Sequence, residues 1–339
     1  MSKYVRRLQK VGSSFMISLP GDWIKRNKLG KASILTLDIN RDNSISIFSS
    51  DDNSDATKEA TLSYTPATMD SVVNQVYGAY LLGYDLIRIR SSSEIPFDDA
   101  DRIKRAVHKL AGLEIVDEDA FKISAQFLLD AGTLDAEKIL RRMNSIVSGM
   151  SRDVVESMNK KEKDIRRVVG SRDQEVNRHY FLLVRLIRSA MMDQRLAGKL
   201  NLSNIDILDY RIAANLLESA GDYIVDLAGI RAASEIPHIE KIVEAGMLVD
   251  DMQEKAVSAF VNKNRNDSLT VVRMYERFTD LVNSLKDVSS LNAIASKRDS
   301  SSTINFLNIL YSLDKIARCW VDIADLVKPV HLTAPLKNA

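Results

Sequence analysis

The 339 residues predict a multidomain chain: a small N-terminal β unit, an α/β segment, and two consecutive three-helix bundles. Three observations predict it. Leu216 to Ala228 (LLESAGDYIVDLA) returns 96 residues later as Ser312 to Ala324 (SLDKIARCWVDIA), with Leu217 on Leu313, Glu218 on Asp314, Val225 on Val321, Asp226 on Asp322 and Ala228 on Ala324. Self-similarity at one spacing means two structural units of one kind. From Leu134 to Val327 the pattern is helical almost throughout, whereas the first 48 residues alternate in short runs broken by turn residues.

Taken in order, Tyr4 to Leu19 reads as a strand interrupted at Gly12-Ser13-Ser14, where a bulge or turn is expected. Pro20 ends it, and Gly21 to Asn27 forms a short helix with Trp23 and Ile24 inward and Lys25 and Arg26 outward. Two short strands follow, Ile34 to Ile39 and Ser44 to Phe48, joined by a turn at Asn40 to Asn43. Some 45 residues bury little core alone, so this unit (residues 1–50) is expected to dimerise. The polar run 49–58 is a linker.

The α/β segment (59–132) reads as a strand at Ala60 to Tyr64, a helix at Met69 to Leu82, a strand at Leu86 to Arg90, a helix at Phe97 to Leu110 and a strand near Phe121 to Leu128, with Gly83 and Gly112 as helix C-terminal caps. It holds no glycine-rich phosphate loop, nucleophile elbow or acid–base pair, and connecting, sensory and purely structural roles stay open for it. Six helices follow: Ala136 to Asn159, Glu162 to Leu196, Ile205 to Ala232, Pro237 to Lys263, Asp267 to Leu291 and Thr303 to Val327. With the repeat they make two antiparallel three-helix bundles, 134–234 and 236–330, joined near Ser234 to Pro237.

The chain carries a formal charge of +1, unevenly spread. Residues 1 to 31 hold Lys3, Arg6, Arg7, Lys10, Lys25, Arg26, Lys28 and Lys31 against Asp22 alone, an excess of seven, so the remainder sums to −6. A basic end on an acidic body points to a polyanion contacted at one end. The terminus has no apolar signal core, and the most apolar run, Phe181 to Ile187, is short and broken by Arg185. The expectation is a cytoplasmic protein without membrane insertion. Cys319 occupies the helical position of Tyr223 in the other copy and reads as a buried thiol, and the four histidines show no zinc-type spacing.

Around a helix, Leu216, Ala220, Tyr223, Ile224 and Leu227 fall on one arc and Glu218, Asp222 and Asp226 on nearly the opposite side. Like charges at i, i+4 and i+8 destabilise a helix by a few tenths of a kcal/mol per pair, roughly. Two readings fit: a solvated face, or a site for a hard divalent or ferric ion.

The N-terminal residues resemble the swapped-hairpin DNA-binding domains of the AbrB, MazE and SpoVT family. The likeness lies in a strand ending Ser18-Leu19-Pro20, the helix GDWIKRN, Leu29 to Lys31 and the closing hairpin. The resemblance implies an interleaved homodimer whose basic strands lie on a palindromic operator. By position it implies DNA contacts from Arg6, Arg7, Lys10, Ser13 and Ser14, with Lys25 and Arg26 clamping phosphates. Ser14 or Phe15 stands near the family's usual arginine, so backbone binding is implied ahead of base readout. The other reading is a dimerisation module with a solvated basic strand.

The helical part resembles the PhoU family of phosphate-signalling regulators, marked by D/E-x-x-x-D pairs on the second and third helices of each bundle. LESAGDYIVDLA keeps Glu218, Gly221 and Asp222, with Asp226 in place of the family's asparagine, and DQEVN keeps Asp173 with Asn177 for the second acid. The resemblance implies a metal ion (iron, zinc or magnesium) held by Asp173, Asn177, Glu218, Asp222 and Asp226. Repeat two keeps Asp314 and Asp322 but has Arg318 at the aspartate's place, and Glu276 and Asp280 do not follow the 96-residue offset, so no metal is implied there. Chains joining an AbrB-like front to PhoU-like bundles look like archaeal phosphate regulators.

The function so implied is a DNA-binding transcriptional regulator of phosphate uptake, sensing through metal-binding bundles and not an enzyme. The alternative is an adaptor that controls the phosphate transporter's ATPase or a sensor kinase by protein contact, without specific DNA binding. A carboxylate-bridged metalloenzyme would need E-x-x-H pairs on two facing helices, and the chain has a single such spacing, Glu235 to His238, at the Pro237 junction between the bundles.

Overall fold

A computed structural model describes residues 3–39, 44–49, 57–160, 164–230, 238–295 and 300–327. The chain divides into two compact units, residues 1–57 and 58–339. In the first, the expected interrupted strand is a hairpin: β1 (Gln9–Val11) pairs antiparallel with β2 (Ser14–Met16) around Gly12-Ser13. Gly12 sits at φ +63°, a conformation glycine adopts without steric cost. Helix α1 (Gly21–Arg26) follows Pro20, and β3 (Leu35–Ile39) pairs antiparallel with β4 (Ile45–Ser49). The expected turn at Asn40 to Asn43 and most of the linker lie outside the described residues.

The apolar alternation of this unit finds nothing to cover it. Among the described residues 3–49 no apolar side chain is buried, and Val5, Ile34 and Ile39 are each more than 70% exposed. At about 25 cal/mol per Å², such side chains gain their stabilisation only when another surface meets them.

The second unit starts with a four-stranded mixed sheet. Strands β5 (Glu59–Tyr64) and β6 (Leu86–Ser91) run parallel across the crossover helix α2 (Met69–Leu81). Helix α3 (Phe97–His108) leads to β7 (Leu113–Asp119), which returns along β8 (Lys122–Phe127), giving the order β5-β6-β8-β7. β7 was not expected. It is an edge strand in which only Leu113 is buried, and a register shift between Ile115 and Asp117 breaks its alternation. Gly83 and Gly112 take positive φ as expected of caps.

Bundle 1 comprises α4 (Ala136–Lys160), α5 (Ile165–Met192) and α7 (Asn204–Gly229), and bundle 2 α8 (Ile239–Asn262), α9 (Arg265–Ala295) and α10 (Ser300–Asp325). The expected helix from Glu162 to Leu196 is two. α5 stops at Met192, and Asp193, in extended backbone, accepts from Arg195 N at 2.9 Å to start α6 (Gln194–Lys199), so a side-chain cap overrides helical continuation. Glu162, Ala232 and the junction Ser234 to Pro237 lie outside the described residues. The repeated stretches occupy α7 and α10, where Leu217 and Leu313 are both buried. Leu217, not Leu216, lies in the core, because the buried stripe runs through Ala213, Leu217, Ala220 and Ile224. Cys319 is buried, which pushes its thiol up to about 12.

The bundles meet along antiparallel α4 and α8, and also along α7 and α10. A Cβ on Gly246 would stand 2.7 Å from Val155 Cγ2, so glycine sets how closely α8 approaches α4. Polar pairs bridge the same seam: Ser151 Oγ donates to Asp250 Oδ1 at 2.5 Å, and Gln253 Nε2 donates to Asn144 Oδ1 at 2.8 Å. Burial raises the Asp250 carboxyl to about 6, opposed by the Ser151 hydrogen bond and Arg152 and aided by Asp251. A folded-state value above the unfolded one means that the folded chain binds the proton more tightly. Stability therefore falls as pH rises from about 4 through 6 and levels off above that. Asp250→Asn is expected to stabilise by on the order of 1–2 kcal/mol at pH 7.5 and to change little at pH 4, read from urea melts at both values. A cost at pH 7.5 would contradict this.

One joint ties the sheet to bundle 1. Arg185 on α5 is 4% exposed; its Nη1 donates to Tyr80 O and Tyr84 O at 2.8 Å each, and its Nη2 to Asp85 Oδ1 at 2.9 Å. Its guanidinium lies 3.9 Å from the Phe127 ring centroid. The two accepting carbonyls flank the left-handed Gly83; Tyr80 O also accepts from Gly83 N at 3.0 Å, and the guanidinium adds a donor to it and to Tyr84 O beyond the end of α2. A charge inside the apolar run Phe181 to Ile187 is thus the fold's inter-layer bolt.

Candidate functional site

On α5 and α7 the second and third helices of bundle 1 bring the expected acids together. Asn177 Nδ2 donates to Asp173 Oδ2 at 3.0 Å, one turn apart on α5. Across the helix pair stands Gly221, whose missing side chain makes room: a Cβ there would lie 3.2 Å from Asp173 Oδ1. That oxygen is buried without a hydrogen-bond partner among the described residues. Burial, then the charge of Asp222, raises Asp173 to about 6, while Asn177 pulls it down. Glu218 is raised by burial, then by Asp222 and Asp173. Asp222 is raised by burial and by Asp226, one turn on. Asp173 and Glu218 are half-buried, whereas Asp222 and Asp226 are exposed.

The donor chemistry suits a hard cation, and the orphaned Asp173 oxygen over Gly221 is where one would gain most. The geometry does not yet form a cage. Among the described residues no three Asp, Glu, His or Cys side chains converge to hold a metal ion, so Glu218 and Asp222 would have to rotate toward Asp173.

Repeat two is built differently. Arg318 Nε lies 2.9 Å from Asp314 Oδ2 and Tyr275 OH donates to Asp314 Oδ1 at 2.9 Å, so both carboxylate oxygens are engaged. Asp314 in turn raises the Arg318 pKa. The residue on α9 that faces Asp314 is Tyr275, while Glu276 and Asp280 take no part in this pair.

In the N-terminal unit, Arg6 and Arg7 precede β1, Lys10 lies on β1, Ser13 in the turn, Ser14 on β2, and Lys25 and Arg26 on the last turn of α1. All seven are exposed. The Arg6 guanidinium stands 5.6 Å from the Tyr4 ring centroid, and Tyr4 OH donates to Asp22 Oδ2 at 3.2 Å. Tyr4 is an anchor that the sequence did not single out.

Two consecutive antiparallel three-helix bundles, the first with a carboxylate cluster between its second and third helices, define a tandem-bundle helical protein. The PhoU domain family matches residues 140–230 and 242–327, more than half of the chain. The chain belongs to that family. Among solved structures it is similar to PhoU from Pseudomonas aeruginosa, with a TM-score of 0.51 and 17% identity over 57% of this chain and 93% of that one. It is also similar to the phosphate transport system regulatory protein PhoU from Streptococcus pneumoniae, with a TM-score of 0.49 and 14% identity over 57% and 91%. No curated protein sequence matches. No helix among the described residues is long and apolar enough to cross a membrane.

Proposed function

We propose that this PhoU-family chain regulates phosphate transport by binding DNA as a homodimer, with its basic N-terminal unit on the operator and its bundles reading the signal. Membership in the family supports the phosphate role. The observation that carries the DNA reading is the first unit itself: a basic hairpin in a compact unit of its own, none of whose described apolar side chains is buried. An AbrB-like interleaving of two copies would cover those side chains and set two basic strands on one duplex. A two-fold dimer reads a two-fold site. In a footprint on the fragment upstream of a phosphate-transport operon, two protected half-sites are expected. No protection would sink the reading in favour of the adaptor, in which the transporter ATPase or a sensor kinase is bound through the bundles and DNA is not; a single protected stretch would contradict the two-fold arrangement.

We also propose that Asp173, Asn177, Glu218 and Asp222, with Asp226 at the edge, hold a divalent or ferric cation. It would neutralise the carboxylates that now raise one another's pKa. No catalytic role is proposed for it. Calorimetric titration with Mg²⁺, Zn²⁺ or Fe³⁺ should show uptake that Asp173→Asn with Glu218→Gln removes, and an identical isotherm for that variant would refute the site.

A further inference from the structure

At one end of the bundles a cavity of about 980 Å³ opens between them. Bundle 1 contributes the start of α4, the segment from Lys199 to Leu202 and the start of α7. Bundle 2 contributes the end of α8, the α8–α9 turn, and Leu326 and Val327 after α10. Its size is that of a small-molecule site, at the place where two packed bodies meet. The family's acidic face on α5 and α7 lines none of it.

The walls say what would bind. Tyr210 and Phe260, one from each bundle, form an edge-to-face pair with centroids 5.2 Å apart, a ready platform for an apolar or aromatic body. Four acids and four cations line the cavity, but most are already engaged. Lys263 holds Asp206 at 2.7 Å, Lys138 lies 3.8 Å from Asp135, and Glu137 takes Arg141 at 2.8 Å. Asp206 and Asp135 also accept from backbone at the starts of α7 and α4. Asp209 too has a partner. The cations left without an ion pair among the described residues are Lys199 and Arg265, one from each bundle.

We propose that this cavity is a binding site for a small organic anion with an aromatic or apolar body, the body against Tyr210 and Phe260 and the anionic group met by Lys199 and Arg265. Because both bundles build the walls, such a ligand binds tightest when they are held as in this structure. It would thereby bias the arrangement of the bundles, by as much as its affinity differs between arrangements. The inference stands apart from the DNA reading, since nothing in it involves residues 1–57.

The test uses the full chain and two fluorescent probes of like aromatic body: 8-anilinonaphthalene-1-sulfonate, which is anionic, and N-phenyl-1-naphthylamine, which is neutral. The sulfonate is expected to bind at one site per chain. Lys199→Glu with Arg265→Glu should weaken it at least tenfold and leave the neutral probe within about twofold, since a lost charge-assisted bond changes affinity by that order. Val261→Trp, which fills the cavity, should weaken both probes. Thermal melts identify any variant that fails to fold, and the Val261→Trp chain then stands in for the charge pair as the site marker. Sulfonate binding unchanged in both variants overturns the site. Equal losses of both probes in the charge variant overturn the assignment to anions, and several weak equivalents in the wild type overturn both.

Discussion

Replacing Arg185 with alanine is expected to cost the second unit about 3–4 kcal/mol, the range for breaking a buried ionic hydrogen-bond network from one side. The substitution removes three donated hydrogen bonds at once. Asp85 is 38% exposed on its side chain and can turn to water, and Tyr80 O keeps the Gly83 N–H at 3.0 Å, but the part-buried Tyr84 O loses the guanidinium donor. The cavity between α5 and Phe127 adds a packing loss. For a unit of this size the melting temperature should drop by roughly 6–12 °C. Arg185→Lys should recover less than half, because a single ammonium cannot reach two carbonyls and a carboxylate in fork geometry. A loss below about 1 kcal/mol would mean that water or a shifted side chain replaces the guanidinium, and the sheet and bundle would not be bolted together as described.

Reversing Arg6 and Arg7 together to glutamate is expected to weaken the proposed DNA binding a hundredfold or more at about 100 mM salt, because the proposed dimer would lose four cations near phosphate and gain four anions. Both residues are exposed and neither supports a core, so the melting curve should hardly move. Arg6 stacks near Tyr4, so a small local change at the N-terminus is expected and no more. Undiminished DNA binding by the variant, with the fold intact, would place the contact surface elsewhere.

The sequence predicted the bundles because the 96-residue repeat fixes where two third helices lie, and the structure puts Leu217 and Leu313 in matching core positions. It also brought out Asp173, Gly221 and Asp222 through the family likeness, and these are side by side in space. What it missed has a physical pattern. β7 is an edge strand with one buried residue, so its period-two signal is too weak to separate from a loop. Asp193 ends α5 through a single side-chain cap, which competes with helix by a margin that composition does not show. In the sequence Arg185 reads only as a break in an apolar run, though a charge in such a run is itself a sign of a buried network. Asp250, Ser151, Gln253 and Asn144 offer no such sign, because contacts between helices a hundred residues apart depend on register and not on local pattern.

The most direct test of the central claim is the salt dependence of wild-type binding to the operator region of a phosphate-transport operon, against a random duplex of equal length. A preference of at least a hundredfold for the operator fragment is expected, with a steep fall of log affinity with log salt on both fragments, since phosphate contacts act on any sequence. Equal affinity for the two fragments, or affinity that salt does not change, would contradict it and leave a PhoU-family protein that acts through protein contact alone.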